Sequence, residues 1–180
     1  MKKLMPFCAA LFIFLCPFCA RADELGITLP VFLTQMGIAF DQVKWGFSQR
    51  GLSESLVQMP NGNFAAEYNE DIVLYLNMTA ESNRLMNVAL SFTVSEWREH
   101  ERNRRSGLLD GEAQYESLCK QIILALDHRV TEKEVGALLE GLGLFGPVLD
   151  GRQRREISGR FIYMMRLYRN NIMFLATSSE

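Results

Sequence analysis

Two neighbouring segments between residues 72 and 94 carry apolar residues at every second position. The first segment places Ile72, Leu74, Leu76 and Met78 at these positions, and the second places Met86, Val88, Leu90, Phe92 and Val94 there. Side chains along a strand point alternately to the two faces of a sheet, so this period of two predicts a hairpin with one apolar face. Such a face must be covered, which predicts a sheet shielded by amphipathic helices.

Shorter segments predict the remaining strands, at 56–59, 64–68, 157–168 and 172–177, of which 56–59 lies in an ambiguous stretch, 45–59, and is only a candidate for a fourth strand of the first meander. The run from Pro60 to Asn63 is a strong turn signal between the first two of these strands. Asn170 and Asn171 fit a tight turn with positive φ between the last two strands. Together with the central hairpin, these strands predict an antiparallel sheet.

The predicted strand 157–168 is apolar on both of its faces. One face carries Phe161, Tyr163, Met165 and Leu167, and the other carries Ile162, Met164 and Tyr168, joined by Arg160 and Arg166. A strand that is apolar on both faces is either covered on both sides or exposes one adhesive face. The second face is thus covered by a loop or helix of the same chain, or it contacts a partner protein or a second subunit.

Amphipathic segments predict helices from about 29 to 43, from about 110 to 128 and from 131 to about 142. Thr28 and Pro30 suit the start of the first helix. Thr131 and Glu134 have the spacing of a capping box at the start of the third. The order of elements predicts an α+β fold, α-βββ-α(α)-ββ, with an antiparallel sheet and helices packed on one face.

The N-terminus has the parts of a secretory signal peptide. Lys2 and Lys3 precede an apolar stretch, 4–19, which is too short to be a convincing membrane span. The run 20–22 fits a cleavage site, which predicts that 1–22 is removed and that 23–180 forms a single domain. An uncleaved N-terminal anchor is the alternative. The protein is expected in the periplasm of a bacterium or outside the cell, with no stable membrane anchor after cleavage.

Removal of the predicted signal peptide changes the charge and the cysteine content. It takes away Lys2, Lys3 and Arg21 but no acidic residue, so the formal net charge falls from −2 to −5. A mildly acidic domain is not expected to bind nucleic acid. Cys119 is then the single cysteine, which excludes an intramolecular disulfide. Because Cys119 lies on the apolar stripe of a predicted helix, we expect a buried and unreactive thiol.

No motif predicts catalysis, a bound cofactor or a metal site. His100 and His128 lack the spacing of metal-binding histidines. The string 141–146 matches G-x-G-x-x-G, but it ends a predicted helix, whereas a pyrophosphate site requires the start of one. The carboxylates within 67–71 bracket a tight turn, where they are normally solvated. The sequence therefore predicts a non-enzymatic protein without cofactors.

Arginines are grouped at 98–105 and at 152–169. They form either a solvated rim that balances nearby acids or a binding surface, because arginine grips carboxylates and phosphates with two hydrogen bonds. Tyr, Met and Arg are enriched in interfaces, so the predicted partner-binding residues are Arg160, Ile162, Met164, Arg166 and Tyr168. The predicted function is exported protein binding of a chaperone, inhibitor or immunity type. The alternative is a small-molecule carrier or small enzyme with a pocket between the sheet and the second predicted helix, at about 110–128.

Over most of the mature chain, the order of elements resembles that of type III secretion chaperones. Those chaperones are small acidic dimers with the order α-β-β-β-α-β-β-α. The resemblance is one of layout, without a matching residue motif, and it implies a fold but not a function. Two features depart from the family, since those chaperones stay in the cytosol and have a last helix that this chain lacks.

Overall fold

The computed structural model describes residues 24–80, 84–93, 108–144, 153–168 and 171–179, with side chains for all of these except 108–110 and 168. The helices in this part are α1 (Leu29–Phe40), α2 (Gln49–Ser55), α3 (Leu108–Leu126) and α4 (Glu132–Gly141). The strands are β1 (Leu56–Gln58), β2 (Phe64–Glu67), β3 (Ile72–Met78), β4 (Leu85–Thr93), β5 (Arg154–Ser158), β6 (Phe161–Tyr168) and β7 (Asn171–Ser178).

The described strands form one antiparallel sheet in the order β1-β2-β3-β4-β7-β6-β5. The predicted α+β class with an antiparallel sheet is confirmed. Strand β4 pairs with the last strand, β7, so the sheet consists of two meanders, β1–β4 and β5–β7, that meet at this pair. Leu90 lies opposite Phe174 at this junction, and both side chains are fully buried.

One face of the sheet, the inner face, packs against the helices. The α3 residue Tyr115 stacks on Phe92 of β4, with ring centroids 5.4 Å apart. Its hydroxyl also lies 3.2 Å from the carbonyl oxygen of Leu90 and 3.3 Å from that of Ile172. A single buried side chain thereby ties helix α3 to the pair β4–β7 at the centre of the sheet.

Strand β4 departs from the predicted alternation at its start. The register between β3 and β4 shifts at Asn77 and Met78, and Met78 pairs with Leu85. Leu85 is fully buried, whereas Met86 is half-buried. The buried side chain predicted at Met86 therefore belongs to Leu85, because an extra residue in one strand moves the following side chains out of strict alternation. The buried positions of Val88, Leu90 and Phe92 are confirmed.

The single strand predicted at 157–168 is wrong, because the chain turns at Gly159 and Arg160 and forms two strands. Ser158 pairs with Phe161 across this two-residue turn. Gly159 has a φ of +56°, a left-handed conformation that favours glycine and suits the tight turns of hairpins. Arg160 therefore lies in a turn and not on a strand face, with its guanidinium 5.0 Å from the ring centre of Phe161.

The helices agree with the predicted number and order except for one addition. Helix α1 ends at Phe40, before the predicted end at Val43, and the ambiguous segment 45–59 contains the short helix α2. The capping box of α4 is confirmed, since Thr131 Oγ1 accepts a hydrogen bond from the backbone N–H of Glu134. The Glu134 carboxylate in turn accepts one from the backbone N–H of Thr131 over 2.7 Å.

Two polar residues of α3, Ser117 and Gln121, bind the backbone of the segment between α1 and α2. Ser117 Oγ accepts a hydrogen bond from the backbone N–H of Trp45 over 3.0 Å and donates one to the carbonyl of the same residue over 2.6 Å. Gln121 binds the backbone of Phe47 in the same way and donates a further hydrogen bond to the carbonyl of Met36 in α1. Both helices that precede the sheet are thus anchored to α3.

Several sequence predictions fall outside the described residues. They are the signal peptide at 1–22, the arginine group at 98–105 with His100, and the arginines at 152 and 169. Among the helices that are described, none has the length and apolar composition needed to cross a membrane.

Candidate binding surface on the outer face of the sheet

The outer face of the sheet, opposite the helices, carries a row of aligned side chains. The strand register places Val57, Ala65, Tyr75, Ala89, Leu175, Met164 and Arg155 side by side from β1 to β5. Small alanines flank the ring of Tyr75, and both Ala65 and Ala89 are fully buried. The row therefore forms a largely apolar band that runs across all seven described strands.

No helix covers this face in the ranges that the structure describes. Its buried residues, Ala65, Tyr75 and Ala89, are packed against Met59, Val73, Met173 and Leu175, which lie in strands or the loop beside them. The inner-face core, by contrast, includes residues of all four helices, among them Phe32, Leu52, Leu118 and Leu139. The prediction that the helices pack on one face is confirmed for these elements.

Three of the predicted partner-binding residues lie on the outer face of β6. Ile162 and Met164 are half-buried there, and Arg166 is exposed. Arg160 is elsewhere, since its guanidinium extends over the backbone of Gly26, where an added Cβ would lie 3.3 Å from Nη1. Tyr168 pairs with Asn171 at the end of β6, and its side chain is not described.

Met164 lies at the centre of the C-terminal part of this face. It pairs with Arg155 of β5 on one side and with Leu175 of β7 on the other, and Arg166 follows two residues later on the same face. Its sulfur lies 2.9 Å from the side-chain nitrogen of Gln153. An apolar centre is thus flanked by two exposed arginines, and no acidic side chain lies on the outer face of β5, β6 or β7 within the described residues.

The structure adds residues that the sequence prediction missed. Met173 and Leu175 of β7 and Ile157 of β5 share the outer face with Met164. Ile157 is among the most exposed large apolar residues in the described part, at 58%. The signal for β7 was present, because the buried residues of 172–176 alternate with Met173 and Leu175. Ile157 could not be placed without knowing that the chain turns after Ser158.

A second concave feature borders the edge strand β5. It is an open groove of about 620 Å³ between β5, helix α4 and the loop that joins α3 to α4. The residues that line it include Glu134, Ala137 and Leu138 from α4, and Glu156, Ile157 and Ser158 from β5. The groove does not lie between the sheet and α3, the place predicted for a small-molecule pocket, where Leu118 and Ile122 are fully buried.

Asp127 closes the end of this groove next to the β5–β6 turn. The carboxylate of Asp127 accepts hydrogen bonds from the backbone N–H and from Nε of Arg129, over 3.1 and 3.0 Å. Burial raises the pKa of Asp127, but the hydrogen bonds and the positive charge of Arg129 outweigh this effect and hold the pKa below its ordinary value. A Cβ on Gly159 would lie 3.2 Å from Asp127 Oδ2, so the turn packs directly on this carboxylate.

The buried phenol of Tyr163 lies on the inner face of β6. Burial, followed by the negative charge of Asp127, raises the pKa of its hydroxyl. In the described part of the chain, Tyr163 Oη has no hydrogen-bond partner. The Thr177 hydroxyl, on the outer face of β7, is also buried without a partner there.

The remaining candidates for chemistry among the described residues are Cys119, His128 and the start of the string 141–146. Cys119 is fully buried, as predicted, and burial raises the pKa of its thiol well above the ordinary value. His128 is exposed in the turn after α3. The string 141–146 begins at the C-terminal end of α4, which is the wrong helix end for binding phosphate. Within the described ranges, no three His, Cys, Asp or Glu side chains are placed to hold a metal ion.

Comparisons with models of protein families, with curated proteins and with solved structures find no match. The resemblance to the layout of type III secretion chaperones stays a prediction.

Proposed function

We propose that this protein is an exported, non-enzymatic binding domain that contacts another protein through the outer face of its C-terminal strands β5–β7. The observation that supports the proposal is the apolar centre at Met164, on a sheet face that no described helix covers. The neighbouring apolar residues on this face are Ile157, Ile162, Met173 and Leu175. A contiguous apolar patch of this kind, rimmed by polar residues, is typical of interaction surfaces.

The charges around Met164 favour an acidic partner. Arg155 and Arg166 are both exposed and flank the methionine on two sides. Arginine binds carboxylates with two parallel hydrogen bonds and is enriched in interfaces together with methionine. A partner with Asp or Glu side chains around an apolar contact would therefore complement this surface in both shape and charge.

A second copy of the chain fits this surface less well. A two-fold contact centred on Met164 would bring Arg155 and Arg166 of one copy close to the same arginines of the other. Like charges that face each other across an interface oppose association. A heterologous acidic partner is therefore preferred over a homodimer formed through this face.

Two adjacent methionines provide a matched test. Met164→Asp places a charge on the outer face and should leave the fold intact, whereas Met165→Asp buries a charge in the core, where Met165 is fully buried, and should unfold the protein. We expect affinity capture from envelope extracts to recover a protein with wild type that Met164→Asp loses. Arg166→Glu should weaken the same capture most at low ionic strength, because the contribution of exposed charges is screened by salt.

Circular dichroism and urea unfolding establish which variants are folded before the capture is interpreted. The proposal fails if wild type and folded Met164→Asp recover the same proteins. It also fails if Met164→Asp unfolds, since the outer face would then belong to the core. A dimer that Met164→Asp converts to a monomer in light scattering would replace the acidic partner with a second copy.

A further inference from the structure

We propose that the free edge of β5 accepts an extended peptide segment with a lysine or arginine side chain, which adds to the sheet as an eighth strand beside helix α4. This site uses the edge backbone of Arg155 and Ile157, whose side chains belong to the outer face around Met164, and it goes beyond the function proposed above. Among the described strands, β5 is the last in the sheet and pairs only with β6.

The β5–β6 turn determines which backbone groups point to the free edge. In a hairpin with a two-residue turn, the residues that flank the turn exchange hydrogen bonds, and such pairs alternate with pairs that do not. Ser158 and Phe161 flank the turn, so Ser158 and Glu156 bond to β6. The backbone N–H and C=O groups of Arg155 and Ile157 therefore point away from β6, and no other described element bonds to them.

Helix α4 runs beside this edge and forms the second wall of the groove. Its C-terminal end lies against β5, because a Cβ on Gly141 would come within 2.8 Å of Glu156 Cδ. The start of the helix lies near the β5–β6 turn, where Val130 and Gly159 both line the groove. An extended peptide paired with Ile157 would therefore place alternate side chains against α4. Addition of an extended peptide to an exposed sheet edge is a recurrent mode of peptide binding, in which pockets for alternate side chains give specificity.

The charges in the groove favour a basic side chain. Asp127, Glu134 and Glu156 line the groove with one cation, Arg129. Arg129 already pairs with Asp127 over 3.0 Å, and the Glu134 carboxylate caps α4 at Thr131. Glu156 is half-buried and has no hydrogen bond or ion pair with any described residue. A lysine or arginine of the added strand can pair with this carboxylate.

Self-pairing of two β5 edges is disfavoured by the sequence of the strand. If Arg155 of one copy pairs with Ile157 of the other, the two Glu156 side chains face each other. If Arg155 pairs with its own copy, the two arginines face each other, although Arg154 of each copy then faces Glu156 of the other. Like charges placed directly opposite in a sheet are destabilising. The remaining register, centred on Ile157, leaves little strand to pair because the turn follows at Gly159.

A phage library of random nine-residue peptides, selected on the purified protein, provides the test. We expect enriched peptides to alternate β-branched residues with other residues and to carry Lys or Arg at one fixed position. Ile157→Pro removes the N–H that points to the free edge, a change that an edge strand tolerates. This variant should lower the affinity of a selected peptide about tenfold, measured by fluorescence anisotropy. Ile157→Val, the matched control, keeps the N–H and should bind as wild type does.

The charge and backbone contributions are tested separately. Glu156→Gln should lower the affinity for a Lys-containing peptide about fivefold at low salt. The affinity for the same peptide with its Lys replaced by Ala should not change. If Ile157→Pro does not fold, a selected peptide is instead synthesised in two versions, N-methylated at the odd or at the even amides. Only one version loses the N–H groups that would bond to β5, so we expect that version alone to fail to bind wild type. Absence of enrichment on wild type, or equal binding to folded Ile157→Pro, would overturn the proposal. A dimer that Ile157→Pro dissociates, without peptide enrichment, would assign the edge to a second copy and also overturn it.

Discussion

Gln121 of α3 and the backbone of Phe47 are joined by two hydrogen bonds. The Phe47 N–H donates to Gln121 Oε1 over 2.9 Å, and Gln121 Nε2 donates to the Phe47 carbonyl over 2.7 Å. A third bond runs from Nε2 to the carbonyl of Met36 over 2.8 Å. The side chain is fully buried, so it satisfies backbone groups of a segment that has no regular secondary structure of its own.

Loss of this side chain should strongly destabilise the protein. Gln121→Ala leaves the backbone N–H and C=O of Phe47 buried without partners, and we expect the free energy of unfolding to fall by about 3 kcal/mol. Urea denaturation measures this change. Gln114→Ala, on the same helix, removes only an exposed bond from Asn69 and should cost less than about 0.5 kcal/mol. Equal losses for the two variants would contradict the anchoring role of Gln121.

Loss of the hydroxyl should change the free energy of unfolding in opposite directions at two buried tyrosines, Tyr163 and Tyr115. Tyr163→Phe removes a hydroxyl that has no partner among the described residues, so the variant should be as stable as wild type or up to about 1 kcal/mol more stable. Tyr115→Phe removes the contact with two carbonyls and should cost about 1 kcal/mol. Thermal and urea unfolding of both variants provide the comparison. A clear loss in Tyr163→Phe would show that its hydroxyl is bonded after all.

Stability should fall in acid in part through Asp127. Burial raises the pKa of this carboxyl, but the hydrogen bonds and charge of Arg129 together lower the pKa by more. The pKa in the folded protein is therefore below that in the unfolded chain. A depressed pKa stabilises the fold above the unfolded value, and the contribution is lost as the pH falls through the folded value. Urea midpoints measured from pH 6 to pH 3 should therefore decrease less steeply in Asp127→Asn than in wild type. An equally steep decrease in Asp127→Asn and in wild type would contradict this contribution of Asp127.

The thiol of Cys119 should be inert in the folded protein. It is fully buried, and burial raises its pKa well above the ordinary value, so thiolate and access are both lacking. In the predicted mature chain, we expect reaction with a thiol reagent to be at least about a hundredfold slower in buffer than in concentrated urea. Fast reaction under native conditions would place Cys119 at an accessible site.

Local patterns in the sequence predicted those parts of the fold that depend on neighbouring residues. The alternation at Leu74 and Leu90 placed both side chains in the core, and the pair Thr131 and Glu134 predicted the start of α4, since a capping box requires only four consecutive residues. The two-sided apolar pattern of β6 correctly placed Met164 opposite the core face. These features are set by period and spacing within one segment.

The features that the sequence did not predict depend on distant contacts or on a single backbone conformation. The turn at Gly159 divides the segment predicted as one strand, and the positive φ of this glycine is a property of a single backbone position that the apolar pattern does not report. The bulge that buries Leu85 shifts the register by one residue without a composition signal. Gln121 would have been found only as a polar residue on an otherwise apolar helix face. The strand with which a given strand pairs is likewise not encoded in its own segment. The groove beside β5, and the acidic residues that line it, therefore could not be predicted from the sequence.

The pairing of β4 with β7 determines when the sheet can be completed. Partners such as Val88 and Ala176 come from distant parts of the chain, and long loops must close before such contacts are gained, which slows folding. During synthesis, a chain that still lacks β7 presents the unpaired edge of β4, and such edges recruit other strands. We therefore expect aggregation to be most favoured in the interval before β7, the last described strand, emerges.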